Sequence, residues 1–140
     1  IKKEISSKSR IEHVGSTSIP GLGGKRIIDL MIVVKKNNLG KTKNELLSKG
    51  FVLMPHAGDK DRISFKKFYG LIMKKRVHVH LTYKGSKTER QTLKFRDNLI
   101  KNPKLRKDYE YLKKQAVIAA KGEGRVYRRY KENFIKKHSK

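Results

Sequence analysis

Residues 26–34, RIIDLMIVV, form a nearly unbroken β-branched and aliphatic run, and this run most constrains the fold. Continuous apolarity without alternation is the mark of a central strand covered on both faces, so the chain must supply layers on either side of a sheet. One charge interrupts the run, Asp29. A carboxylate there loses several kcal/mol of hydration unless a partner or a cation compensates it. The strand and its one acid therefore raise the structural and the functional question together.

Upstream, residues 11–15, IEHVG, read as a short strand ending at a turn, and STSIPGLGGK follows as a loop rich in Gly, Ser and Pro. Downstream, residues 35–50 read as a surface helix carrying Leu39, Leu46 and Leu47, with Gly50 at its C′ position. FVLMP, ISFKKFYGLIM and RVHVHLTY read as strands, with a turn over residues 59–62. The last alternates cleanly and puts His78 and His80 on one face.

From Ser86 the period becomes helical. Ser86 and Glu89 have capping-box spacing, and Asn102 with Pro103 form an N-cap and first-turn pair. Leu105, Tyr109, Leu112, Ala116 and Ala119 mark one stripe; after Gly122 and Gly124 a last helix carries Tyr127, Tyr130 and Phe134. These tyrosines read as core packing. The expected architecture is one α/β (α+β) domain over residues 1–140, a mixed β-sheet packed against a C-terminal layer of helices.

At 140 residues the chain has room for one core. It has no cysteine, which excludes disulfides and thiolate metal sites. No run reaches the roughly 20 apolar residues of a membrane span, and no signal peptide is apparent, so the expectation is a soluble cytoplasmic protein without a membrane partner. The net charge of +25 would attract phosphates, RNA, DNA or anionic membrane surfaces. Lysine greatly outnumbers arginine, so drift of an AT-rich genome accounts for the charge equally well. Weak, non-specific nucleic-acid binding is the expectation from charge.

The glycine-rich loop is not a P-loop, because Ile19 stands where that motif needs Gly and Arg26 where it needs Ser or Thr after Lys25. A strand ending in Gly-Ser, a loop, and a strand bearing an acid fits better. In polymerase-type nucleotidyltransferases such a turn holds the triphosphate and the acid holds metal. Gly15 lets backbone amides approach phosphate, Ser16 and Thr17 add donors, and Asp29 offers a carboxylate to Mg²⁺. An ordinary turn and a hydrogen-bonded strand Asp weigh equally at this point. Lys25, Arg62, Lys66 and Arg96 are candidate phosphate cations, while Arg96 and Asp97 read equally as a local helix pair. Glu12 and His13 lie on opposite strand faces.

EHVGSTSIPGLGGKRIIDLMIVV, the R-x-x-F-x-K stretch from Arg62, VHVHL, LKFRDNL-x-x-x-P and Y-x-x-x-K-x-x-FI together resemble the GrpB-like family. The resemblance spans Glu12 to Ile135. It implies a nucleotidyltransferase-like fold, found alone or appended to dephospho-coenzyme A kinases, and a poorly defined activity. The chain departs from active nucleotidyltransferases at Met31, where a second carboxylate would stand two residues after Asp29, and at His78 and His80, where a third would be sought. Two-metal transfer is therefore in doubt. Asp29, His78 and His80 make an alternative metal set, with magnesium or manganese ahead of zinc, or else a hydrogen-bonded cluster without metal.

The leading expectation is a protein that binds a nucleotide or phosphorylated metabolite; if it is an enzyme, it is a metal-dependent nucleotidyltransferase with Asp29 as the catalytic carboxylate. The rivals are a non-catalytic nucleic-acid-binding module and an auxiliary module of a coenzyme A-related enzyme.

Overall fold

The computed structural model describes residues 5–6, 8–22 and 27–140. Five strands, β1 (Ser9–Val14), β2 (Ile27–Val34), β3 (Val52–Leu53), β4 (Ile63–Tyr69) and β5 (Lys75–Tyr83), form one sheet in the order β1-β2-β5-β4-β3. β2 and β5 run parallel, and the other pairs are antiparallel. The sheet is mixed, as the sequence implied. Among the described residues, four α-helices accompany it: α1 (Leu39–Ser48), α2 (Lys87–Lys101), α3 (Pro103–Ala120) and α4 (Gly124–Lys137). Among the described residues, no helix is long and apolar enough to cross a membrane.

Alternation divides the side chains of the central strands between two layers. Ile32, Val34, Val79, Leu81 and Phe65 pack with Leu46 of α1 and Phe51 in one core. Val14, Met31 and Val33 face the other way, against Leu93 of α2. A third cluster joins Ile19 to Phe95, Leu99, Leu105 and Tyr109, so the loop after β1 is anchored in the helical layer. β2 is buried from Met31 to Val34 but only half-buried from Ile27 to Leu30. The sequence implied burial on both faces throughout; the covering layer stops where Asp29 begins.

Local signals set most boundaries. After α1, Gly50 adopts φ 89°, its amide reaches the Leu47 carbonyl at 3.1 Å, and the Phe51 amide reaches Leu46 at 3.1 Å. That is the paired closure of a Schellman end. The Ser86 hydroxyl accepts from the Glu89 amide at 3.0 Å, while the Glu89 carboxylate accepts from the Gly85 amide at 2.9 Å. Asn102 accepts from the Leu105 amide at 3.1 Å.

Several expectations are corrected. The expected helix over residues 35–50 begins as a 3-10 turn, Lys36–Asn38, before α1. FVLMP contributes only Val52 and Leu53 as strand, because Phe51 turns into the core and Met54 leads into a 3-10 turn. ISFKKFYGLIM ends as strand at Tyr69, where Gly70 at φ 96° reverses the chain and leaves Leu71 and Ile72 in solvent. The α3 stripe ends at buried Ala120, one residue past Ala119, as 3.6-residue periodicity dictates. Of the tyrosines assigned to packing, Tyr109 is buried, Tyr127 is half-buried and Tyr130 is exposed.

Candidate functional site

The site is built on the helical-layer face of β2 and β5, where strand register sets Asp29 opposite His78 and Met31 opposite His80. On the far side of β5, Lys66 opposes His78 and Ser64 opposes His80. One row across the sheet therefore reads Val14, Asp29, His78 and Lys66. Adjacent residues in such a row have Cβ atoms about 5 Å apart, so their side chains share one environment.

His80 Nε2 lies 3.1 Å from Asp29 Oδ1, and His80 Nδ1 lies 3.1 Å from Ser64 Oγ, which itself donates to the Ala57 carbonyl at 3.1 Å. His78 Nδ1 stands 3.6 Å from the same Asp29 oxygen, too long for a hydrogen bond but close enough for charge to act. Burial pushes the Asp29 carboxyl up, yet the two histidines outweigh it and hold the group well below the usual carboxylate range. Asp29 is thus a persistent anion with side chains 16% and 19% exposed on either side of it. Among the described residues, His78 Nε2 is buried and has no hydrogen-bond partner.

Gly15 closes the site from above β1. It sits at φ 75°, ψ −175°, a region essentially reserved for glycine, and a Cβ there would lie 2.5 Å from Asp29 Oδ2. The following residues form a 3-10 turn, Ser16–Ser18, in which the Ser18 hydroxyl donates to the Gly15 carbonyl at 2.6 Å. Thr17 Oγ1 sits 2.9 Å from His13 Nε2 and reaches the Ile27 carbonyl at 3.5 Å, pinning the turn to β2. Ser16 points the other way, toward α3, where Lys113 Nζ donates to its Oγ at 3.2 Å.

Lys113 is the site residue that sequence reasoning missed. Its one sequence signal is position: a lysine four residues after Tyr109 and three before Ala116, beside the apolar stripe of α3. Burial lowers its pKa, and its ammonium lies over the Tyr109 ring, 5.1 Å from the centroid. The Tyr109 phenol is pushed up by burial first, then by Tyr127 and by the charge of Asp29. The helical layer therefore delivers a cation and a phenol to the Gly15–Asp29 corner.

The other expected cations divide. Lys66 belongs to the Asp29 row. Lys25 lies outside the described residues. Arg62 sits in the turn immediately before β4, two residues from Ser64, with Nη2 3.6 Å from Asp59. Arg96 is committed to structure: Nη1 donates to Glu12 at 2.9 Å and to the His13 carbonyl at 3.1 Å, and Nε donates to Asp97 at 3.2 Å. Against its burial, Glu12 and Asp97 hold its pKa above the ordinary guanidinium value. These bonds tie α2 to β1.

The residues present do not fit the two divalent ions of nucleotidyl transfer. Met31 is fully buried where the second carboxylate would stand, Asp29 Oδ1 is hydrogen-bonded to His80 with His78 beside it, and Oδ2 lies under Gly15. Among the described residues, no group of three or more His, Asp or Glu side chains has the convergence that a metal ion requires. Asp29, His78 and His80 are neighbours, but through a shared oxygen and not around a common point.

Residues 1–140 match the family described as GrpB protein. The chain is 32% identical over 127 residues to the UPF0157 protein YqkA of Bacillus subtilis, covering 90% of this chain and 36% of that protein. It is 29% identical over 128 residues to the glutamate-rich protein GrpB of Alkalihalophilus pseudofirmus, covering 89% of this chain and 74% of that one. The crystal structure of the conserved protein GrpB from Enterococcus faecalis superposes with a TM-score of 0.75 at 31% identity, covering 99% of this chain and 82% of that chain. The chain thus spans about a third of YqkA and most of the two GrpB proteins. This chain carries 37 basic against 12 acidic residues.

Proposed function

The chain belongs to the GrpB family, and from the geometry around Asp29 we propose that it binds a phosphate-bearing small molecule, a nucleotide or a phosphorylated metabolite, at the Gly15–Ser16 turn. The observation that carries this reading is Lys113, a half-buried ammonium 3.2 Å from Ser16 Oγ. The Glu110 carboxylate acts on this ammonium against the effect of burial, and a phosphate at the turn would add a second anion to it through a charge-assisted hydrogen bond. Lys66 supplies a further cation along the row of Asp29. Asp29 then has an organising role: its charge orients the two imidazoles and sets the pocket floor. This is a binding chemistry of hydrogen bonds and charge, with no step routed through a divalent ion.

Thermal denaturation in the presence of inorganic pyrophosphate, nucleoside triphosphates and coenzyme A precursors tests it, because a ligand that binds only the folded state raises the melting temperature by mass action. At least one of these should raise it in the parent. Lys113→Met, which keeps an aliphatic chain over Tyr109, should lower affinity by about tenfold, the order expected from losing one charge-assisted hydrogen bond. An equal rise in parent and Lys113→Met would remove the ligand from this turn.

A further inference from the structure

We infer that the β4–β5 hairpin tip, residues 71–73, is a docking surface for a bilayer containing anionic lipid. Leu71 is 99% exposed and Ile72 97%, Met73 is largely exposed, and Phe68 at the base of the hairpin is half-exposed. Single exposed aliphatic residues are ordinary on protein surfaces, but consecutive ones at the tip of a tight turn make a concentrated apolar point. The turn is held in shape. Gly70 adopts φ 96°, and a Cβ on it would lie 2.6 Å from the Met73 carbonyl, so the reversal is close and sterically defined. Nothing in the three cores uses these side chains.

A collar of positive charge surrounds that point. Lys74, Lys75 and Arg76 follow the tip directly, and no acidic residue occurs between Asp61 and Glu89. Arg76 lies over the Phe68 ring at 5.2 Å, which keeps its guanidinium beside the hairpin base. An aliphatic tip inside a cationic collar matches the layering of a membrane surface, where anionic headgroups lie outside an apolar acyl boundary. Nucleic acid would satisfy the collar but not the tip, since single strands stack on aromatic faces and residues 71–73 carry none. Peripheral docking of this kind needs no membrane-spanning helix. It also stands apart from phosphate binding at Ser16, although Arg76 pairs with Ile27 only two residues from the Asp29 row, so a docked molecule would hold that row close to the bilayer.

The chain has no tryptophan, so Ile72→Trp introduces a single reporter. Titrated with phosphatidylcholine vesicles and with vesicles that also contain phosphatidylglycerol, its emission should shift to the blue and be quenched by brominated acyl chains in the anionic vesicles alone. In co-sedimentation with the same anionic vesicles, the Leu71→Ser, Ile72→Ser double variant should bind at least about tenfold more weakly than the parent, since two aliphatic side chains no longer enter the apolar layer. Its melting temperature should be unchanged, as both positions are solvent-exposed. An unshifted Ile72→Trp spectrum, or equal vesicle binding by parent and double variant, would overturn the proposal and leave charge attraction alone. A parent that self-associates in sedimentation equilibrium, with the double variant monomeric, would also overturn it, by assigning the tip to a second copy of the chain.

Discussion

Gly15 and Asp29 are packed so closely that a single methyl group on Gly15 would lie 2.5 Å from Asp29 Oδ2 and 2.9 Å from its Cβ. The turn after β1 and the acid on β2 are thus one steric unit, with the carboxylate held in place by a backbone that has no side chain. Gly15→Ala must both occupy a conformation essentially limited to glycine and displace Asp29. The backbone alone costs about 1–3 kcal/mol. The expected outcome is a melting temperature lower by about 5–10 °C, together with loss of any pyrophosphate or nucleotide response. The Gly-Ser pattern by itself suggested that substitution here would affect only phosphate approach; the contact with Asp29 makes it a stability change too. A fully stable Gly15→Ala would show that the turn has room that the 2.5 Å contact denies.

Asp29→Asn separates a hydrogen-bonded cluster from a metal centre. Asparagine keeps an acceptor for His80 but removes the charge that holds both imidazoles, so stability at neutral pH should fall by about 1–3 kcal/mol. Because the folded-state pKa is depressed, the contribution is present above the ordinary carboxylate value of about 4 and is lost as pH falls below it. The difference between parent and variant should accordingly be largest near neutrality and narrow in acid. Calorimetry across that range, with and without Mg²⁺, Mn²⁺ or Zn²⁺, reads both effects. A metal-dependent rise in the parent that Asp29→Asn abolishes would restore Asp29, His78 and His80 as ligands.

Arg96 should behave as a tie and not as a phosphate ligand. Arg96→Ala removes the donors to Glu12 and the His13 carbonyl and leaves Glu12, among the described residues, with Arg10, whose Nε lies 3.4 Å away. A destabilisation of about 1–3 kcal/mol is expected, with the affinity of the remaining folded protein for pyrophosphate within about twofold of the parent's. Lysine at this position should recover only part of the stability, since it lacks the planar fork that reaches Glu12, Asp97 and a carbonyl together. A stable Arg96→Ala with lost ligand affinity would move Arg96 into the site.

The sequence carried the architecture because its strong signals are local. The apolar run of β2, the alternation around His78 and His80, and the caps at Ser86 and Asn102 are each legible within a few residues. It also put Gly15, Asp29, His78 and His80 together, through the spacing of the turn and the family resemblance. Lys113 was hidden because α3 approaches Ser16 from 97 positions away in sequence. Arg96 was open between a phosphate cation and a local pair with Asp97, because its partners Glu12 and His13 lie on β1, far from it in sequence. The hairpin tip was misread because Gly70 is a single residue inside an otherwise β-prone run, and β-propensity does not register a reversal at one glycine.

The Ser64–His80–Asp29 chain fixes where a proton must be. Asp29 is ionised and can only accept, so the 3.1 Å contact from His80 requires hydrogen on Nε2. On the opposite side of the ring, the Ser64 hydroxyl has one proton for two neighbours, the Ala57 carbonyl and His80 Nδ1, each at 3.1 Å. Ser64→Ala deletes that choice: Nδ1 loses its partner in a buried position, while Nε2–H to Asp29 is untouched. Nitrogen-15 spectra of the parent at neutral pH should show His80 with a protonated Nε2 that persists in Ser64→Ala, where only the Nδ1 resonance moves. In Asp29→Asn the acceptor is neutral, and the Nε2 proton should exchange with water more quickly as its strongest bond weakens. A parent spectrum with Nε2 bare at neutral pH would contradict the ionised Asp29 on which the site is built, because two lone pairs cannot face each other at 3.1 Å without a cation between them.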